Sequence, residues 1–419
     1  MSQILDIIED FKKPCPCGMK HSTAVRDVRI ASGLVHKVGE ILSENGFEKK
    51  LLLVADKNTF KAAEGIVESL SDFDIEYHIY DEIRVATMDH VRELEEKIGD
   101  RDISVLSVGT GSVNDPCRLA TANKGKKLCI FATAPSMDGF ASDSSPIVDK
   151  GFKFSYPAKS PEVIIGDTKI LAAAPSVLKS AGFGDMIAKY VAIIDWRVSE
   201  LLTGELCCDR VCALTREAVD ELMTMADKVT ANDEHTAGKI FEALLKTGIG
   251  MSFTGTSRPA SGAEHVICHL LECIELRDGI IPNYHGDDVG VATLAMLKFY
   301  NELAEHDEID ADYENVDWSD VYSFFGDMEE DARRANEPEN IIDKVDPKEL
   351  KSRWNEIRDI IRSVPSYEEC YEAMKKAGCK LTVADIGKDE KLFRDCTRYS
   401  PFMRRRMTIL RMQDMIKVK

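Results

Sequence analysis

Short apolar runs alternate with helical patterns through the first 167 positions of the chain. Apolar runs typical of buried strands occupy residues 51–55, 75–80, 103–108 and 128–132. Helical patterns of apolar residues lie between them, at residues 59–70 and 91–98. Strands that alternate with helices favour a mostly parallel sheet with crossover helices. The pattern therefore predicts an α/β, Rossmann-like N-terminal domain over residues 1–167.

The pattern changes from about Thr168 onward. The apolar residues Ile187, Val191, Ile194, Val198 and Leu201 recur at helical spacing and mark one face of a helix. Further helical patterns occupy residues 211–229, 239–245 and 289–303, and more follow Pro347. We therefore expect an all-α C-terminal domain over residues 168–419. Within it, the acidic and aromatic stretch at about 302–346 is expected to be a solvated surface.

Charge and hydropathy restrict the partners of the protein. The net charge of −19 repels phosphates, so we expect no nucleic-acid partner. No apolar stretch is long enough to span a bilayer, and residues 1–13 predict a short amphipathic helix without a signal-peptide core. We therefore expect a cytoplasmic protein. An anionic ligand would need backbone amides, a helix N-terminus or a metal to make the potential locally positive.

Two cysteines near the N-terminus resemble part of a metal knuckle. Cys15 and Cys17 flank Pro16, and His21 follows closely. A structural zinc site needs four ligands, and the sequence shows no second such pair. The favoured interpretation is an N-terminal turn, with a metal site as the alternative. Other cysteines, such as Cys268 and Cys273, fit helical apolar patterns as small core residues.

A glycine loop at residues 109–115 follows the predicted strand 103–108 and precedes a helical stretch. Glycines let a backbone approach a ligand closely, and the free amides at a helix start can bind a pyrophosphate. Asp56 ends the strand 51–55, where a carboxylate can bind ribose hydroxyls. Small polar residues at 133–139 follow another strand. Because open parallel sheets bind ligands at the carboxyl ends of their strands, these loops predict a nucleotide site, with ordinary loops as the alternative.

Three histidines lie close together in the second half. His265 and His269 stand four residues apart on one face of a predicted helix, and His285 begins the next helical stretch. Imidazole and carboxylate ligands together form catalytic zinc sites that keep one position open. Asp185, which lies among glycines before an amphipathic helix, is a candidate carboxylate. The alternative is a pair of helix-face histidines satisfied by hydrogen bonds.

Taken together, five motifs resemble the sn-glycerol-1-phosphate dehydrogenases, a family within the dehydroquinate-synthase-like and iron-type alcohol dehydrogenases. The motifs occupy residues 108–115, 133–142, 181–186, 257–265 and 285–290. They occur in the family's order between about residues 50 and 300. The resemblance implies reversible reduction of dihydroxyacetone phosphate to sn-glycerol 1-phosphate with NADH or NADPH. It also implies one divalent metal, zinc or nickel.

The resemblance further implies which residues form the site. The implied cofactor contacts are Asp56, Gly109, Thr110, Gly111, Ser112, Val113, Thr133, Ala134, Pro135, Ser136 and Ser142. Asp138, Asp185 and His269 would contact the substrate. Asp185, His265 and His285 would bind the metal and form the catalytic centre. A carboxylate at Asp56 would repel the 2′-phosphate of NADP, which favours NAD.

The expected partner is a small phosphorylated polyol, and we expect a homo-oligomer, with a homodimer favoured. Arg258 is the candidate cation for the substrate phosphate. Alternatives within the superfamily are a glycerol dehydrogenase, another polyol dehydrogenase or a dehydroquinate synthase. An alternative of another class is a non-catalytic nucleotide-binding regulator, against which the complete set of three candidate metal ligands argues.

Overall fold

The first half of the chain builds a parallel sheet. The computed structural model describes residues 3–418, so the first two residues of the predicted N-terminal helix and Lys419 of the predicted C-terminal domain lie outside the described residues. The strands are β1 (Asp27–Ala31), β2 (Lys50–Asp56), β3 (Asp74–Tyr80), β4 (Ser104–Gly109), β5 (Leu128–Ala132), β6 (Ser144–Asp149), β7 (Phe152–Pro157) and β8 (Val163–Asp167). Six of them form one sheet in the order β1-β8-β5-β4-β2-β3, and every neighbouring pair is parallel. Strands β6 and β7 form a separate antiparallel hairpin.

Helices cover both faces of this sheet. They are α1 (Gln3–Phe11), α2 (Val38–Glu44), α3 (Lys57–Ala62), α4 (Ile66–Ser69), α5 (Met88–Ile98) and α6 (Gly111–Lys124). Alternate residues of each strand face opposite sides: Leu53 belongs to one apolar cluster and Val54 to the other. The single helix predicted over 59–70 is divided into α3 and α4, because Gly65 between them adopts a φ of +95° that continues neither helix.

The second half is mostly helical, as expected. Its helices are α7 (Thr168–Ala173), α8 (Ser176–Ile187), α9 (Lys189–Thr203), α10 (Asp209–Met223), α11 (Glu234–Thr254), α12 (Ala263–Arg277), α13 (His285–Ala304), α14 (Trp318–Phe325), α15 (Glu329–Asn336), α16 (Pro347–Ser352), α17 (Trp354–Arg362), α18 (Tyr367–Lys376) and α19 (Glu390–Tyr399). It is not all-helical, because β9 (Ile309–Ala311) and β10 (Ile416–Val418) pair antiparallel.

The acidic stretch at 302–346 is more than a solvated surface, so that expectation was wrong. It forms α14 and α15, and Val321, Tyr322 and Phe325 are buried in the core of the helical half. The acidic residues therefore occupy the outer faces of helices whose aromatic residues point inward.

The two halves share packing. Phe241 and Leu245 of α11 join the apolar cluster on one face of the sheet, together with Val54 and Ile164. The division between residues 167 and 168 remains a prediction, although β8 ends and α7 begins there. Among the described residues, none of the helices combines the length and the apolar character that crossing a bilayer requires.

Candidate active site

A cavity of about 1270 Å³ lies between the carboxyl ends of the sheet strands and the helical half. Its lining includes Asp56 from the end of β2, the start of α6, and the loop after β5. From the helical half it includes His269 and His285. Small-molecule sites usually enclose about 300–1,000 Å³, so this cavity has room for a large cofactor with a small substrate.

The glycine loop joins β4 directly to α6 and faces this cavity. Thr110 occupies the N-cap position of α6, but its side chain does not cap the helix. Thr110, Gly111 and Ser112 all line the cavity. An uncapped helix start carries free amides and the positive end of the helix dipole, so it can bind an anionic group such as a pyrophosphate.

Three candidate metal ligands converge from three helices. Asp185 lies near the end of α8, His265 in the first turn of α12, and His285 at the start of α13. Their ligand atoms all lie within 4.8 Å of one another. Asp185 Oδ1 is 3.4 Å from His265 Nε2, and Asp185 is completely buried. The structure therefore brings together the metal-binding set that the resemblance implied.

Two buried glutamates hold the ring orientation of these histidines. Glu264 Oε1 is 2.6 Å from His265 Nδ1, and Glu272 Oε1 is 2.9 Å from His285 Nδ1. A carboxylate that accepts the Nδ1 proton leaves Nε2 as the nitrogen that carries a free lone pair. Both rings are thereby prepared to bind a metal through Nε2, which fits a divalent cation at this position.

A buried lysine, Lys189, pairs with two aspartates beside the candidate metal ligands. Lys189 Nζ lies 2.7 Å from Asp138 Oδ2 and 2.9 Å from Asp185 Oδ1. The backbone amide of Asp138 donates to Asp185 Oδ2 at 2.9 Å. Burial raises the pKa of Asp185, but Lys189 and His265 outweigh burial and hold it well below its usual range. Asp185 is therefore ionised, as a metal ligand must be.

A second group of candidate ligands overlaps the first. Cys268, Glu272 and His285 also lie within 4.8 Å of one another. However, Cys268 Sγ and Glu272 both approach His285 at Nδ1, at 3.6 and 2.9 Å, and Glu272 is also paired with Lys153 at 2.6 Å. Cys268 and Glu272 therefore lie on the Nδ1 side of His285, and Asp185, His265 and His285 remain the candidate metal ligands.

His269 differs from the two other histidines because its Nδ1 is buried without a hydrogen-bond partner among the described residues. It lines the cavity, and its ring stacks on that of His285 with centroids 5.4 Å apart. Burial, with Arg404 and Lys153, lowers the pKa of His269 well below its usual value. It is therefore neutral near pH 7, and its ring forms part of the cavity wall.

The predicted cofactor residues are divided between the cavity lining and the core. The residues that line the cavity are Asp56, Thr110, Gly111, Ser112, Thr133, Ala134 and Ser136. Gly109, Val113, Pro135 and Ser142 lie behind that lining, and Val113 is buried in an apolar cluster. Asp56 Oδ1 accepts the amide proton of Thr59 at 2.8 Å, so this carboxylate caps α3 as well as facing the cavity.

Arg258 does not face the cavity, so its assignment to the substrate phosphate was wrong. Its guanidinium donates to Glu205 Oε1 at 2.7 Å and to the Met407 carbonyl at 2.7 Å. The half-buried Glu205 and the buried Met407 carbonyl therefore hold this guanidinium inside the helical half. The cationic side chains that line the cavity include Arg84, Lys153 and Lys169.

Sequence reasoning missed Lys189, Glu264, Glu272 and Lys153. Three of them had a local signal. Lys189 stands four residues after Asp185, Glu264 directly precedes His265, and Glu272 follows His269 by less than one helical turn. Nothing in the sequence indicated Lys153, because its contact with Glu272 joins the β6–β7 hairpin to α12.

Comparison with known proteins points to one group of enzymes. Residues 29–175 match the family model described as iron-containing alcohol dehydrogenase. The chain is 32% identical over 312 residues to a glycerol-1-phosphate dehydrogenase of Halalkalibacterium halodurans, covering 73% of this chain and 78% of that protein. It is 28% identical to a protein of the same name from Geobacillus stearothermophilus, over 94% of this chain and 93% of that one.

Two dehydrogenases are among the solved structures with a similar fold. The NADH-dependent butanol dehydrogenase A of Thermotoga maritima has a TM-score of 0.60 at 15% identity, over 93% of this chain and 92% of that chain. A probable glycerol dehydrogenase of Sinorhizobium meliloti has a TM-score of 0.56 at 20% identity, over 81% and 98%. At these identities the likeness establishes the fold alone.

Proposed function

This chain belongs to the glycerol-1-phosphate dehydrogenase family, and on that premise we propose that it reduces dihydroxyacetone phosphate reversibly to sn-glycerol 1-phosphate. NADH or NADPH would supply the hydride. The observation that carries the proposal is the position of the metal-binding set relative to the cavity. His285 lines the cavity that the uncapped start of α6 also lines, so one cavity offers both a metal and a place for an anionic cofactor.

Asp185, His265 and His285 are the residues that would hold a zinc or nickel ion. Such an ion, when bound, supplies the Lewis acid that polarises the ketone oxygen. Glu264 and Glu272 keep the two imidazoles in the required tautomer. Lys189 keeps Asp185 ionised while lying between it and Asp138. These contacts fix the geometry before the substrate arrives.

His269 is the group that we assign to the substrate's oxygen. Reduction of a ketone adds a hydride to carbon and a proton to oxygen. His269 is neutral and lines the cavity, so its imidazole can hydrogen-bond the oxygen and take part in the transfer of that proton. Asp138 also lines the cavity and would hydrogen-bond a substrate hydroxyl.

Cofactor and phosphate require positive potential in a chain of net charge −19. The amides at the start of α6 meet this need for the pyrophosphate. Arg84 lines the cavity and meets it for the substrate phosphate. Asp56, on the end of β2, would accept hydrogen bonds from the ribose hydroxyls, which favours NAD over NADP.

The handedness of the product tests this proposal. Reduction of dihydroxyacetone phosphate by the purified protein should yield glycerol phosphate that an sn-glycerol-3-phosphate dehydrogenase does not oxidise, because the two enantiomers differ at C2. Chemically prepared racemic glycerol phosphate, half of which is oxidised, is the control. Complete oxidation of the product would assign the opposite stereochemistry and contradict the proposal.

A further inference from the structure

Four potential metal ligands meet where the N-terminal segment contacts the helical half. Cys15 and Cys17 lie in the turn after α1, and His21 follows in the same segment. The fourth ligand is Cys208, the N-cap residue of α10, which lies 187 residues after His21. All four ligand atoms lie within 4.8 Å of one another. The sequence showed only three of them, because Cys208 joins the group through the fold.

The distances fit one tetrahedral ion. Cys15 Sγ is 3.7 Å from Cys208 Sγ and 3.2 Å from Cys17 Sγ. His21 Nε2 is 3.5 Å from both Cys17 Sγ and Cys208 Sγ. Zinc bonds of about 2.3 Å to sulfur and about 2.0 Å to nitrogen set tetrahedral edges of about 3.8 and 3.5 Å. A disulfide would need sulfurs about 2.05 Å apart, and none of these pairs meets that distance.

The orientation of His21 also fits a metal ligand. His21 Nδ1 lies 2.9 Å from the carbonyl oxygen of Phe253, near the end of α11. If Nδ1 donates to that carbonyl, Nε2 carries the lone pair and faces the sulfurs. His21 is buried, and the stacked rings of Phe11 and Phe253 lie beside it with centroids 4.4 Å apart. Metal-binding histidines are characteristically held in this way by a backbone acceptor.

A neighbouring pair of cysteines provides a comparison, because its two thiols are in contact without forming a candidate metal site. Cys207 and Cys212 lie 3.4 Å apart, and Cys212 stands one turn after Cys208 on α10. No group of metal ligands among the described residues includes either of them. Two close thiols are therefore not sufficient to form a metal site. The Cys15 group differs because it contains a third thiol and an oriented imidazole, which together make four ligands.

We propose that Cys15, Cys17, His21 and Cys208 bind one structural zinc ion, separate from the catalytic centre. The site shares no residue with the Asp185 set. Four protein ligands leave no open position for substrate, which is typical of structural zinc. The ion would join the segment after α1 to the start of α10 and, through His21, to the end of α11. The ion would thus hold α1 in place, and Ile4, Ile8 and Phe11 of that helix belong to the apolar cluster on one face of the sheet.

Metal analysis of full-length variants tests this site without relying on catalysis. A His265→Ala, His285→Ala double variant, expressed with zinc, should retain one zinc per chain. The wild-type protein loaded with zinc should contain two. Cys208→Ser should retain only the catalytic ion and unfold at a lower temperature, whereas the matched control Cys212→Ser should keep the wild-type content.

Cobalt gives a spectroscopic reading of the ligands even if a variant fails to fold. Cobalt-substituted wild-type protein should show the near-ultraviolet charge-transfer band of a thiolate-bound ion, because the proposed site has three thiolate ligands whereas the Asp185 set has none. Cys268→Ser should retain this band, since Cys268 lies behind His285. The proposal is overturned if the double histidine variant contains no zinc, if the cobalt protein lacks the band, or if mass spectrometry of the native protein finds Cys15 and Cys17 joined as a disulfide.

Discussion

Two glutamates outside the proposed ligand set fix the histidines that we propose as metal ligands. Glu264 and Glu272 are buried, and each holds the Nδ1 of its histidine. Glu272 is itself held by Lys153. Such contacts fix the ring, select the tautomer and raise the basicity of the ligand nitrogen. The account therefore assigns metal affinity partly to residues outside the ligand set.

The Glu272→Gln variant is expected to bind the catalytic metal about 10–100-fold more weakly, because an amide holds the Nδ1 proton less strongly than a carboxylate. Competition with a coloured chelator measures the affinity. Glu275→Gln on the same helix is the matched control, since Glu275 is equally buried but pairs with Lys388. Unchanged affinity in a folded Glu272→Gln protein would show that the glutamate has no such role.

The structure shows that the Asp56 carboxylate, which is predicted to bind the ribose, also caps helix α3. Serine also caps helices well, so Asp56→Ser should leave α3 largely intact while it removes the charge. We expect weaker binding of NAD and stronger binding of NADP, a shift in preference of roughly 1–3 kcal/mol. The ratio of kcat/KM for the two cofactors measures it. Asp233→Ser, which changes the N-cap residue of α11, is the control. If the ratio of kcat/KM is the same in both variants, Asp56 caps α3 but does not select the cofactor.

Among the elements, the start of α6 is the one most directly tied to cofactor binding. A β-carbon at Gly111 would lie 3.1 Å from the flexible end of Met137, so a side chain fits there without a backbone clash. Gly111→Val should nevertheless raise the KM for the cofactor sharply, because the branched side chain would occupy space beside the free amides. Metal content should not change.

Ala122→Val is the matched control for this helix, since residue 122 lies on α6 and outside the cavity lining. Steady-state kinetics with varied NADH would compare the two variants. If Gly111→Val folds and keeps the wild-type KM for the cofactor, the pyrophosphate does not bind at the start of α6.

The elements that the sequence predicted are those with strong local patterns. Strand β5 and residues 51–55 of β2 are continuous apolar runs, and β4 is apolar except for Ser104, Ser107 and Gly109, because both faces of all three strands are buried. Strand β1 was missed because it lies at the sheet edge, where only Asp27 and Val28 are buried. The core role of the 302–346 stretch was missed because its buried aromatic residues lie in one short helix, α14, that is flanked by strongly acidic segments. Cys208 and Lys153 were missed because only the fold brings them to their partners.

At the scale of the whole molecule, function depends on two halves that meet at one cavity. The sheet half provides its strand ends and the start of α6, and the helical half provides the proposed metal ligands Asp185, His265 and His285. The shared packing of α11 against the sheet fixes the spacing between these parts. A cofactor bound at one side is therefore held close to a substrate bound at the other, which is the arrangement that hydride transfer requires.

The most direct test of this account measures NADH oxidation by the metal-depleted protein after zinc or nickel is restored, with dihydroxyacetone phosphate and with dihydroxyacetone. The account predicts little turnover without metal. It predicts that restored protein reduces the phosphorylated ketone with a much higher kcat/KM, because Arg84 lines the cavity. Turnover that is independent of metal, or a higher kcat/KM for unphosphorylated dihydroxyacetone, would contradict it.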